Sequence, residues 1–191
     1  MSSDIISRIR RNHGLEHATI HVLSEKYKHF SAQGNSDFRG FRLNIYGDIK
    51  EEQVETAVHE AYTRMKNGES QLAVHPNCGT VLLTTATMAT LAAQAVFAVE
   101  QRRQGRSGGK LSALANGLPS AILAVVVSLI VSRPVGLHLQ EKYTTEGDLK
   151  ALEVVSVERV SPSPITRIFH YLLAGGQNSY TPRAYKIVTK G

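Results

Sequence analysis

The chain of 191 residues contains one cysteine, Cys78, so an intramolecular disulfide is excluded and the thiol is inert, reactive or a metal ligand. Charge is missing over two long stretches: Thr80 to Val99 and Leu111 to Ser132 hold no Asp, Glu, Lys or Arg. Each is as long as the ~20 residues a helix needs to cross ~30 Å of hydrocarbon. No RNA- or DNA-binding motif is present, although the formal charge is +6. The basic residues gather near the ends of the apolar stretches, where anionic lipid headgroups account for them, and nucleic acid is not an expected partner. Met1 to Arg11 carries Arg8, Arg10 and Arg11 but no apolar core or small-residue cleavage site, so no secretory signal is expected. Internal repeats and low-complexity tracts are also missing.

The two uncharged stretches read as transmembrane helices. Thr80, Thr84, Thr85, Thr87, Thr90 and Gln94 interrupt the first and are expected to face protein rather than lipid. In the second, Gly117 and Ala121, then Ala124, Ser128 and Ser132, recur at four-residue spacing. That small-xxx-small pattern lets helix backbones approach closely, and it predicts a tight hairpin or a membrane-protein or homo-oligomeric partner. The alternative, given the low overall hydropathy, is a buried hairpin in a soluble helical protein. Arg102, Arg103, Arg106 and Lys110 crowd the connection, whereas Arg64 and Lys66 precede the hairpin and Arg133, Lys142 and Lys150 follow it. The positive-inside rule therefore pulls both ways. With no secretory signal, the N- and C-terminal regions are expected in the cytoplasm.

Residues 1–78 read as an α/β unit. A helix is expected from about Ile5 to Lys28, then a polar loop through Ser31 to Asp37. Phe41, Leu43 and Ile45 alternate with Arg42, Asn44 and Tyr46 as in a half-buried strand. Asp48 with Glu51 suggests a capping box opening a helix whose apolar face is Val54, Ala57, Val58, Ala61 and Met65, stopped at Asn67-Gly68. Leu72 to Val74 reads as a short strand delivering His75, and Pro76 and Gly79 turn the chain into the first span. After the hairpin, Leu152 to Val160 and Ala184 to Thr189 are strand-like, separated by Ser161-Pro162-Ser163-Pro164 and an Ile165 to Leu173 segment. The expected architecture is an α+β membrane protein with an N-terminal α/β unit (1–78), a two-helix transmembrane hairpin (79–138) and a small strand-rich C-terminal region (139–191).

Chemistry concentrates at both ends of the first region. On a helix, 3.6 residues per turn place His13, His17 and His21 on one face, with Glu16 beside them. Histidines at i and i+4 direct two imidazole nitrogens at one ion, and a Glu at i+3 can hold the water that the ion acidifies. His75 and Cys78 are the residue types that a tetrahedral zinc site still lacks, and Cys78 at a helix N-terminus would be stabilised as thiolate. Three protein ligands would leave a water position for catalysis, whereas four would close the shell and make the ion structural. His21 and Glu25 extend the helix face as a third ligand or as orienting groups. His29, His59, His138 and His170 lack such company.

His13-Gly14-Leu15-Glu16-His17 resembles the H-x-x-E-H signature of inverzincin peptidases, which implies His13 and His17 as zinc ligands and Glu16 as general base. The chain is much shorter than those peptidases and offers no acidic third ligand in a downstream helix. Paired with His75-Pro76-Asn77-Cys78-Gly79-Thr80, the motif also resembles bacterial integral membrane domain-of-unknown-function families that share HGxEH followed by HPxCGT and are sometimes labelled metal-dependent enzymes. The resemblance covers roughly residues 12 to 80 and the hairpin, and implies a metal site at a membrane but no substrate.

The expected function is that of a membrane-embedded hydrolase using zinc or another divalent transition metal at the bilayer interface, acting on a membrane-adjacent peptide or lipid ester. The alternative is a non-enzymatic membrane subunit or assembly factor with a structural metal. A third reading is thiol chemistry at Cys78.

Overall fold

The computed structural model describes residues 2–105, 109–164, 166 and 182–191. Arg106, His170 and most of the Ile165 to Leu173 segment lie outside the described residues. The chain forms two units, one of Met1–His75 with Glu141–Gly191 and one of Pro76–Gln140. The described residues form a mixed α+β protein with four α-helices and a small antiparallel sheet.

In the first unit, helix α1 (Ser2–Lys26) leads into strands β1 (Ser31–Asp37) and β2 (Gly40–Tyr46), helix α2 (Glu51–Lys66) and a 3-10 turn (Ser70–Ala73). Strands β3 (Glu153–Val160) and β4 (Arg183–Lys190) follow from the other end of the chain. All neighbours are antiparallel in the order β1-β2-β4-β3, so the last strand is inserted between β2 and β3. The period-two expectation for β2 holds: Phe41, Leu43 and Ile45 are buried while Arg42 is exposed. They meet Tyr185 and Ile187 of β4, Leu15, Val22 and Leu23 of α1, and the expected apolar face of α2 in one core.

Several local expectations are corrected. Ser31 to Asp37 is an edge strand, not a loop, because pairing along the whole of β2 satisfies the backbone groups on that side despite a polar sequence, and water can take those on the other. Helix α2 is capped at Lys50, whose amide donates to the Gln53 side chain at 2.8 Å. Asp48 is instead drawn away by the Arg183 guanidinium, 3.3 Å distant. Leu72 to Val74 is no strand: the Leu72 amide donates back to the Glu69 carbonyl, closing a helical turn.

One fully buried amide ties this unit together. Asn12 on α1 donates to the Asp37 carbonyl at 2.8 Å and accepts from the Thr189 hydroxyl at 2.7 Å, linking the helix to the end of β1 and to β4.

The second unit is a hairpin of α3 (Gly79–Gln104) and α4 (Lys110–Leu139), both long and apolar enough to cross a membrane. The expected small-residue stripe is the packing seam. Gly117, Ala121, Ser128 and Ser132 are buried, and Ala113 and Gly136 extend the stripe at both ends. Leu111, Ile122, Leu123 and Ile130 face outward. A Cβ on Gly136 would stand 2.9 Å from the Val81 Cα, so only glycine permits this approach. The expectation that the α3 threonines face protein is corrected in part. Thr85 meets Ser132 at 2.9 Å, but Thr87, Thr90 and Gln94 are exposed. The Thr84 and Thr90 hydroxyls return to the carbonyls of Thr80 and Ala86, which satisfies them within the helix.

Gly136→Val is expected to wedge the hairpin apart at Val81, lowering stability by about 1–3 kcal/mol. Thermal unfolding in detergent checks this, with Val135→Ala on the exposed face expected to be nearly silent.

Candidate metal centre

Helix α1 delivers His13, His17 and His21 on successive turns, and the segment after the 3-10 turn brings His75 against them. Ring centroids are 4.4 Å apart for His13 and His17, 5.8 Å for His17 and His75, and 5.0 Å for His21 and His75. The ligand nitrogens of His13 and His17 come within 4.8 Å of each other.

Backbone carbonyls fix the rings. His13 Nδ1 donates to the Thr144 carbonyl at 2.9 Å, and His17 Nδ1 to the Ala73 carbonyl at 2.8 Å. A proton on Nδ1 places the lone pair of each neutral ring on Nε2, the form in which imidazole binds a metal. His21 uses its other nitrogen, Nε2 donating to the Val74 carbonyl at 2.8 Å, so its lone pair is on Nδ1. Burial, with the charges that His21 and His17 would carry, pulls the His75 pKa down to about 4. His75 is therefore neutral at physiological pH.

The carbonyl at residue 144 is itself positioned. Arg10 donates to the carbonyls of Lys142 and Thr145, and the Glu146 amide donates to the Arg10 carbonyl at 3.0 Å. Gly14 explains how closely this segment lies on α1, since a Cβ there would sit 2.6 Å from the Glu146 carbonyl oxygen.

Glu16 is buried at 4% exposure and is turned toward the edge strand. Ser36 donates to its Oε2, and the carboxylate lies against Gly34, where an added Cβ would fall 1.9 Å from Oε1. Glu25 is held elsewhere, bridged to Arg64 of α2 at 2.7 Å. Cys78 belongs to the second unit, three residues along the chain from His75. It is the buried N-cap of α3, and its sulfur accepts from the Thr80 amide at 3.4 Å. Amides at a helix start favour thiolate, the metal-binding form. The first unit thus brings together four of the expected residues, His13, His17, His21 and His75.

Residues 8–157 match the family described as Domain of unknown function (DUF6391). The chain belongs to this family. The DUF6391 chain is also similar to an uncharacterized protein of Picosynechococcus sp. (strain ATCC 27264 / PCC 7002 / PR-6), with 39% identity over 94 residues. That alignment covers 42% of this chain and 45% of the relative, so the match spans less than half of either. No solved structure matches the chain significantly.

Sequence reasoning missed the groups that orient the histidines. The carbonyls of Ala73, Val74 and Thr144 carry no side-chain signal, and Ser36 sits in a stretch that reads as loop. Gly14 of the H-G-x-E-H pattern is a sequence signal that could have pointed to close approach.

Gly14→Ala in this DUF6391 protein is expected to push the 144–146 segment off α1 and cost about 1–3 kcal/mol, read by thermal or chaotrope unfolding. Acid sensitivity is a second expectation. With its ordinary value at 6.5 and its folded value at about 4, His75 takes up a proton in the unfolded chain first as pH falls. Its contribution to stability is complete above pH 6.5 and is lost between pH 6.5 and about 4. His75→Gln should flatten the stability profile of metal-stripped protein across that window, and an unchanged slope would contradict this.

Proposed function

We propose that this protein is a membrane-embedded, zinc-dependent hydrolase-like protein whose metal site lies at the bilayer interface. His13 and His17 supply two ligands, and Cys78 or His75 the third. The observation that carries this reading is the pair of Nδ1–H···O=C bonds, which set both rings in the metal-binding tautomer on one helix face. Neutral imidazoles with a nearby thiol suit zinc and similar transition metals. Only Pro76 and Asn77 separate Cys78 from His75, a tether of at most ~10 Å, which supports the thiolate as a partner to the imidazoles.

Zinc, when bound, lowers the pKa of a coordinated water to about 7. Glu16, one turn from His13, would accept the proton of the attacking water, and a membrane-adjacent peptide or lipid ester would be the substrate. The length and apolarity of α3 and α4 support the bilayer as the surrounding medium. Both chain ends contribute to one sheet, which supports their lying on the same side, assigned here to the cytoplasm. The small-residue stripe is used within the hairpin, so a partner in the membrane would meet the Leu- and Val-rich outer faces.

A second reading is favoured by the orientation of Glu16. Because its carboxylate is engaged with Ser36 and Gly34, the ion would instead be structural, with four protein ligands, in a non-enzymatic subunit or assembly factor.

Metal analysis of the purified full chain by mass spectrometry, with ester and peptide hydrolysis assays, separates the readings. About one zinc per chain is expected, lost in His17→Ala. Glu16→Gln should keep the metal and lose hydrolysis. Retention of zinc with unfolding on chelation and no hydrolysis by wild type would favour the structural reading. Folded wild-type protein that takes up no metal would end both.

A further inference from the structure

The outward face of the sheet carries a feature that the metal proposal does not use. Asn35 of β1 pairs with Arg42 of β2, and Arg42 pairs with Lys186 of β4, so the three stand in one row across three strands. Directly opposed side chains on one face have Cβ atoms about 4.5–5.5 Å apart, and like charges so placed repel. Arg39, in the adjoining turn over the Phe38 ring at 5.0 Å, adds a third cation. These residues line a cavity of about 330 Å³. Among the described residues, none of Arg39, Arg42 and Lys186 forms an ion pair.

Two carboxylates lie near and keep their charge, each accepting one hydrogen bond, so the patch remains net positive. Asp37, also on the cavity wall, accepts from the Arg39 amide at 2.6 Å. Glu158 of β3, opposite Lys186 on its other side, accepts from Ser156 at 2.8 Å. Three cations thus face a cavity holding one carboxylate.

We propose that this cavity binds a phosphate group, either inorganic phosphate or the phosphate ester of a lipid headgroup. A tetrahedral dianion relieves the Arg42–Lys186 repulsion by sitting between them. The guanidinium forks of Arg42 and Arg39 match paired phosphate oxygens, Lys186 adds a point charge, and the Asn35 amide can donate a further hydrogen bond. The cavity shares no residue with the proposed metal site.

The test uses the full chain in a neutral maltoside detergent at low salt, titrated calorimetrically with inorganic phosphate in one arm and short-chain phosphatidic acid in the other. Saturable binding is expected in at least one arm, weakened at least about tenfold by Arg42→Gln and by Lys186→Gln, as for loss of a charge-assisted hydrogen bond. Arg42→Lys should fall between these and wild type, and Lys28→Gln, which removes a cation elsewhere, should match wild type. Binding of phosphate alone assigns a soluble ligand, and binding of the lipid alone assigns a headgroup. Should Arg42→Gln fail to fold, Lys186→Gln and Arg42→Lys carry the comparison. No saturable binding in either arm, or equal weakening by Lys28→Gln, overturns the proposal.

Discussion

The fold of the first unit rests on burying the polar face of α1. From Arg11 to Ile20 nearly every residue of that helix is buried, and Asn12, Glu16, His17 and Thr19 are among them. A buried polar group without a partner costs about 1–3 kcal/mol, so each needs one supplied. Thr19 uses the Leu15 carbonyl of its own helix, but the others draw on β1, on the Ala73 carbonyl and on Thr189 of β4. Satisfying them fixes how the edge strand, the 3-10 turn and the last strand lie on the helix. The arrangement of the histidines is a consequence.

The hairpin obeys a different rule. Its outer surface is mostly apolar, so packing between α3 and α4 relies on close backbone approach at Gly136, on the Phe97 ring seated against Gly117 and on few polar contacts among the described residues, of which Thr85 with Ser132 is one. Thr84 and Thr90 do not need neighbours on other elements because the Thr80 and Ala86 carbonyls of their own helix accept from them. The first unit is interrupted between His75 and Glu141, and Arg10 secures the returning chain through the carbonyls of Lys142 and Thr145.

The same bonds serve the proposed chemistry. Rings held by carbonyls lose little freedom on binding an ion, and the low pKa of His75 keeps a neighbouring imidazole uncharged where a cation would sit. Glu16 is the residue on which the two functional readings divide. Its burial against Gly34 fits a group held rigidly for proton transfer or one that braces the helix on the sheet, and the metal and hydrolysis measurements distinguish them.

The length of the uncharged stretches determined the two hairpin helices, and periodicity determined the β2 alternation, the apolar face of α2, the small-residue seam and the shared face of His13, His17 and His21, because each depends only on residues along one element. Tertiary structure decided what depends on distant partners. Ser31 to Asp37 became a strand only because β2 lay beside it, Asp48 went to Arg183 rather than to the start of α2, and Glu25 went to Arg64. The insertion of β4 between β2 and β3, the carbonyls that orient the histidines, the Arg42–Lys186 pair and the Asn12–Thr189 bond all join distant residues, the last of them 177 positions apart. Long-range pairing of that kind leaves no local pattern, because its energy comes from burial and hydrogen bonds that exist only once the chain has closed on itself.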